Sequence, residues 1–136
     1  MEAPMALKIA GLDHLVLRVK DLAAMERFYV EVLGLSVERR ADQIGMVQLR
    51  AGPQLLDLVD AGGLLGRQGG APPGAQGRNL DHVCFNIEGF DLAAVVAHLE
   101  AHGVQVGESG RRYGAKGFGV SVYLTDPEGN GLELRG

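Results

Sequence analysis

The sequence predicts an α+β fold of two βαβββ modules, and three observations lead there. Residues 12–19, LDHLVLRV, return sixty-eight positions later as LDHVCFNI at 80–87. DLAA follows each of them, at 21–24 and again at 91–94. The last strand candidate of each half carries one carboxylate between two leucines, Leu56-Asp57-Leu58 and Leu132-Glu133-Leu134. A chain of 136 residues has room for one compact domain rather than two large ones. The repeat therefore reads as two halves of a single domain over 1–136, with module one at 11–60, a linker at 61–79 and module two at 80–136.

In LDHLVLRV the apolar Leu15, Leu17 and Val19 alternate with His14, Val16 and Arg18, the period of a strand with one buried face. The first helix opens at Asp21, suited to an N-cap, and lines up Leu22, Met25, Phe28, Tyr29, Val32 and Leu33 at three-and-four spacing. Gly34 suits the left-handed position that ends it. Strand candidates follow at 35–39, 45–50 and 54–60. The linker AGGLLGRQGGAPPGAQGRN holds seven glycines and two prolines in nineteen residues and reads as a connector or a mobile lid. In the second half Val83, Phe85 and Ile87 form the apolar face of a strand, with His82, Cys84 and Asn86 opposite. A helix runs from Asp91 through Leu92, Val95, Val96 and Leu99 to Gly103. Strand candidates at 104–108, 118–125 and 131–135 complete the module.

Composition narrows the function classes. Hydrophobic residues make up 46% and charged residues 22%, as in ordinary globular proteins. A net charge of −4 with no basic stripe argues against nucleic acid as a partner. Cys84 is the one cysteine, so no internal disulfide forms and a small buried apolar role is expected for it. MEAPMALKIAG at the N-terminus carries acid and proline without a leader's apolar core, and no stretch approaches membrane-spanning length. No membrane partner and a cytoplasmic location are the expectation.

Chemistry enters with the repeated polar positions. Each half places a histidine on its first strand and an acid on its last. If the halves pair about a pseudo-twofold axis, or two chains exchange halves, His14, Asp57, His82 and Glu133 converge on the face opposite the helices. Two imidazoles and two carboxylates suit a divalent metal ion. Duplication repeats core positions by descent, but packing gives no reason to retain polar ones. His98 and His102 are set aside, because HLEAH lacks the HExxH order and the pair flanks the apolar stripe of its helix. Strand alternation puts Ser121 and Tyr123 on one face as a pocket wall, and repeat equivalence gives Gln48 the place of Tyr123. The segment GRRYGAKGFG at 110–119 sets Arg111, Arg112 and Lys116 among glycines, a cationic loop or hairpin in which Arg112 and Lys116 could hold a substrate carboxylate or phosphate.

These residues resemble the vicinal oxygen chelate superfamily, which includes glyoxalase I, extradiol dioxygenases, fosfomycin-resistance enzymes and metal-free bleomycin-binding proteins. The LDH openings, FYVEVLGL at 28–35 and DPEGNGLEL at 126–134 carry the resemblance, which covers about 11–135. It implies an open, cup-shaped eight-stranded sheet and places the metal ligands on His14, His82 and Glu133. Where glyoxalase I has a fourth ligand, a glutamate, this chain has the shorter Asp57. Ser121 and Tyr123 match a substrate-side pair of the fosfomycin enzymes. Val16 stands where those have a threonine, and the sequence shows no further cationic tail after Gly136, so fosfomycin is disfavoured.

The resemblance implies one divalent ion per site, zinc, nickel, manganese or iron, and a small-molecule substrate. It also implies a homodimer whose sites are shared between chains. A glyoxalase-like lyase or isomerase, or a related dioxygenase, would use Glu133 or Asp57 to move a proton beside a carbonyl. The alternative is a binding or drug-resistance protein of the bleomycin-resistance kind, acting without metal or assisted by it.

Overall fold

The computed structural model describes residues 6–136. Residues 1–5, and with them the start of the N-terminal segment read above for a leader, lie outside the described residues. Eight strands form, divided between two four-stranded sheets. The first contains β1 (His14–Val19), β2 (Ser36–Ala41), β3 (Met46–Ala51) and β4 (Gln54–Asp60) in the order β1-β4-β3-β2. The second contains β5 (His82–Asn86), β6 (Ser109–Gly114), β7 (Gly117–Thr125) and β8 (Gly131–Arg135) in the order β5-β8-β7-β6. In both, the first strand runs parallel to the last and the other pairs are antiparallel. The duplication is thus one of topology as well as sequence, and it leaves β1 and β5 as open sheet edges.

Alternation decides which side of each sheet is core. Leu17, Val19, Val47, Leu49, Leu56 and Leu58 of the first sheet pack with Met25, Phe28 and Tyr29, and Val122, Leu124, Leu132 and Leu134 of the second join the same cluster with Leu99. One core therefore serves both helix-side faces. The opposite faces receive the polar residues of each strand, including both histidines and both acids.

The helices begin where expected. Asp21 accepts from Ala24 N at 3.0 Å and Asp91 from Ala93 N at 3.2 Å, each satisfying a free first-turn amide. Gly34 at φ 80° and Gly103 at φ 74° end them in the left-handed region. The second helix, α2 (Leu92–Ala101), closes with Gly103 N to Glu100 O at 2.9 Å and Val104 N to Leu99 O at 3.0 Å. The first does not follow suit. α1 (Leu22–Arg27) widens into a π turn at Phe28–Val32, with Leu33 N bonded to Phe28 O at 3.3 Å and Leu35 N to Tyr29 O at 3.0 Å. Gly34 follows Asp21 by thirteen residues, whereas Gly103 follows Asp91 by twelve. The wide turn takes up the additional residue and keeps Phe28 and Tyr29 in the core.

Two segments differ from the sequence reading. The strand expected at 104–108 does not form; Val104 and Val106 reach the core from an extended segment, and the ladder starts at Ser109. The stretch read as a cationic loop or hairpin is a hairpin, made of β6, which was not among the strand candidates, the two-residue turn at 115–116 and the start of β7. No apolar alternation announces β6, because glycines and arginines occupy its faces.

The linker is tied down rather than loose. Arg18 donates to the carbonyls of Gly66 at 2.9 Å, Gly69 at 3.1 Å, Gly70 at 2.6 Å and Ala71 at 3.2 Å. Asn79 pairs with the backbone of Arg18 through both amide atoms and with Asn130. The DPEGN turn locks the halves together. Asp126 accepts from the Tyr29 hydroxyl at 2.7 Å and from Glu128 N, Asn130 N and the Asn130 side chain. Glu128 in turn accepts from Lys20 N and Asp21 N at the start of α1. Burial, with the Asp126 charge alongside, pushes the Tyr29 hydroxyl far above its ordinary range. No helix among the described residues is long and apolar enough to cross a membrane.

Candidate metal centre

On the face opposite the helices, each sheet builds the same row of side chains. In the second sheet His82 lies on β5, Glu133 on β8 and Tyr123 on β7, with Tyr123 directly opposite Glu133 in the ladder. His82 Nε2 is 3.2 Å from Glu133 Oε1, and Ser121 Oγ donates to Glu133 Oε2 at 2.5 Å. Arg112 of β6 completes the row, its guanidinium 5.5 Å from the Tyr123 ring centroid and paired with Glu108 at 2.5 Å. In the first sheet His14 lies on β1 and Asp57 on β4, with Gln48 of β3 opposite Asp57. Gln48 Nε2 is 3.2 Å from both Asp57 oxygens, and Arg39 of β2 donates to Gln48 Oε1 at 3.0 Å. The equivalence of Gln48 and Tyr123 inferred from the repeat is therefore also one of register.

The aspartates of the two LDH openings explain why those histidines are oriented alike. Asp13 holds His14 Nδ1 at 2.8 Å and Asp81 holds His82 Nδ1 at 2.6 Å. A carboxylate accepting from Nδ1–H favours the neutral tautomer whose Nε2 carries the lone pair, the arrangement found around metal-bound histidines. The bond from Asp13, with the charge of Asp57 behind it, raises the His14 pKa above its ordinary value; the bond from Asp81, opposed by partial burial and aided by Glu133, does the same for His82. Burial pulls the Glu133 carboxyl upward, but hydrogen bonds from Ser121 and Tyr123 and the charge of His82 outweigh it and hold the acid ionised. Burial and the Glu133 charge push the Cys84 thiol up to about 11. Cys84 is exposed on this face, not buried as its apolar strand suggested.

The donor set fits a divalent cation: imidazole nitrogen and carboxylate oxygen in each half, anions ionised, and outer partners in place. Within one chain the two halves stay apart. Among the described residues no three His, Cys, Asp or Glu side chains lie close enough to share an ion. Lys116 sits in the exposed turn between β6 and β7, and Arg111 faces the other side, over the Phe118 ring at 4.0 Å. His98 bonds the Val32 carbonyl at 2.7 Å.

Several residues of this face escaped the sequence reading. Asp13 and Asp81 were repeated in plain sight, but their role is apparent only from the Nδ1 contacts. Arg39 is hidden by the bulge between Val37 and Arg39, which breaks the alternation that would assign it to a face. Arg135, on the same strand and face as Glu133, is 7% exposed and resembles a surface residue in sequence.

Two open βαβββ sheets, sharing one helix-side core and carrying a histidine–carboxylate row on the other face, define a two-module glyoxalase-type fold. The sequence model of the Glyoxalase/Bleomycin resistance protein/Dioxygenase superfamily matches residues 11–134, and the chain belongs to that superfamily. It is 35% identical over 130 residues to the glyoxalase domain-containing protein RDO1 of Mycosarcoma maydis, covering 94% of this chain and 69% of that one. The crystal structure of virulence protein STM3117 from Salmonella typhimurium is similar at TM-score 0.78 and 30% identity, over 95% of this chain and 98% of the other. A lactoylglutathione lyase from Agrobacterium tumefaciens is similar at TM-score 0.69 and 26% identity, over 94% of each chain.

Proposed function

We propose that this protein is a divalent-metal-dependent enzyme of the glyoxalase kind, a lyase or isomerase acting on a small molecule that offers two neighbouring oxygens. It works as a homodimer in which His14 and Asp57 of one copy face His82 and Glu133 of the other. The observation that carries the reading is the doubled row: an Asp-anchored imidazole and a partnered carboxylate, built once on each sheet. Likeness to a lactoylglutathione lyase adds support for lyase chemistry over dioxygenase chemistry.

Zinc, nickel, manganese or iron held there would polarise both substrate oxygens. The side chains do the rest. With Nδ1 occupied, Nε2 is the ring nitrogen left to bind in each histidine, and that of His82 already faces Glu133 Oε1. Ser121 fixes one oxygen of Glu133, which leaves Oε1 directed at His82 and able to take or return a proton on a carbon beside a carbonyl. Gln48 and Arg112–Tyr123 wall the two ends of the row.

A mixing experiment tests both parts of the proposal. Chains bearing His14→Ala and chains bearing His82→Ala should each lose most bound metal when purified without chelator. Unfolded, mixed and refolded together, they should regain it, since a mixed dimer contains one site with all four ligands. Metal retained by both single variants would defeat the ligand assignment; loss without recovery in demonstrably mixed dimers would defeat the sharing.

A further inference from the structure

The second sheet carries a cation that the proposed metal chemistry does not use. Arg135 lies two residues beyond Glu133 on β8, opposite Ser121 in the ladder, and is 7% exposed. Its guanidinium is laid flat across the β6–β7 hairpin. A Cβ at Gly114 or at Gly119 would collide with it, and Nη2 donates to the Gly117 carbonyl at 2.9 Å. Gly110 makes way for the Arg112 guanidinium in the same manner. The glycines of GRRYGAKGFG therefore serve as a side-chain-free floor for two arginines.

The two arginines differ in what balances them. Arg112 has Glu108. Among the described residues no carboxylate lies within 4.0 Å of the Arg135 nitrogens. Burying a charge without a counter-charge is costly, and a guanidinium with five donors, of which one is used here, is built to grip an oxyanion. Glu133, two residues away on the same strand and face, does not serve as that counter-charge, being engaged by Ser121 and His82. Nor is the position a relic of the duplication: register puts Val59 where the second half has Arg135, and Met46 where it has Ser121. The apolar pair of one half is a charged and hydroxylic pair in the other.

We infer that Arg135, with Arg112 at its flank, is an oxyanion subsite that selects substrates bearing a carboxylate or phosphate at one end and the chelating oxygens at the other. This rests on the open sheet face being the substrate site. Two residues along a strand span roughly 7 Å, and the Arg135 guanidinium reaches further still from Glu133, over Gly114 and Gly119 to the Gly117 carbonyl, so the two ends of the substrate lie further apart than that spacing. Arg112, whose guanidinium lies over Gly110 toward Glu108 and Tyr123, joins the anion only by releasing Glu108, while Arg135 is already held by the Gly117 carbonyl.

The test titrates metal-free protein with succinate and, separately, with inorganic phosphate, following the Arg135 Nε–H signal by NMR. At least one anion should shift that signal saturably. Its affinity should fall by about tenfold or more in Arg135→Gln, as expected for loss of a charge-assisted pair, and by less in Arg112→Gln. Metal affinity of Arg135→Gln should stay within about twofold of the unmodified chain, so failure of the metal reading and failure of this one are separable. An Arg135 signal unmoved by both anions overturns the inference even if Arg135→Gln does not fold. Equal binding by a folded Arg135→Gln overturns it as well. Succinate acting alone marks a carboxylate substrate; phosphate acting alone marks a phosphorylated one.

Discussion

Replacing Ser121 with alanine isolates the contribution of a single buried hydroxyl to the proposed metal row. Ser121 is fully buried and Glu133 is 6% exposed, and the 2.5 Å contact between them is a hydrogen bond to an ionised acceptor. Such bonds contribute about 1.5–3 kcal/mol, and losing an outer partner of a metal ligand typically lowers affinity by about 10- to 100-fold. Ser121→Ala should fall in that interval. Glu133→Gln, which removes the direct anionic ligand, should fall beyond it. Asp57→Asn should cost less than Glu133→Gln, because Asp57 is one methylene shorter and both its oxygens are already engaged by Gln48. The assay is competition for zinc against a colorimetric chelator, with circular dichroism confirming that each variant is folded. Undiminished affinity in Ser121→Ala, or Asp57→Asn more damaging than Glu133→Gln, would refute the assignment of Glu133 as the central ligand.

Two further outcomes bear on the scaffold. Tyr29→Phe removes the donor from buried Asp126 and should lower unfolding free energy by about 1.5–3 kcal/mol in urea titration; a loss under about 0.5 kcal/mol would show that the turn's own donors suffice. Glu26, bonded to Arg40 at 2.6 and 2.7 Å, has its carboxyl held below the usual 4.5 chiefly by that bond. Its small contribution is present above 4.5 and is lost as pH falls through the lower folded value. The stability gap to Glu26→Gln should narrow in acid, and a gap independent of pH would contradict the pairing.

The elements legible in the sequence were those whose signal is local. Alternation in LDHLVLRV and LDHVCFNI, the capping aspartates Asp21 and Asp91, and the terminal glycines Gly34 and Gly103 all state their conformation within a few residues. β6 was legible only as an arm of a loop or hairpin, since Ser109–Gly114 owes its strand to backbone pairing with β7 and its glycines to arginines packed above them. Arg135 illustrates the limit most clearly: its floor comes from residues sixteen to twenty-one positions earlier, and no local pattern links them. The histidine–carboxylate rows were readable because duplication wrote them twice. Their separation within one chain depends on how two sheets share a core, which no short-range pattern encodes.

The π turn at Phe28–Val32 bears on how the two halves came to differ. An extra residue in an ordinary helix turns everything after it by about 100°, which would carry the following side chains off the core and displace the strand beyond. Widening a single turn swallows that rotation, so Gly34 and β2 keep the places that Gly103 and the segment after it hold in the other half. When the two halves are aligned, the gap therefore belongs inside 28–32 rather than in a loop. A helix with one face in the core and a tolerant turn above it is a place where this lineage could change length without changing shape.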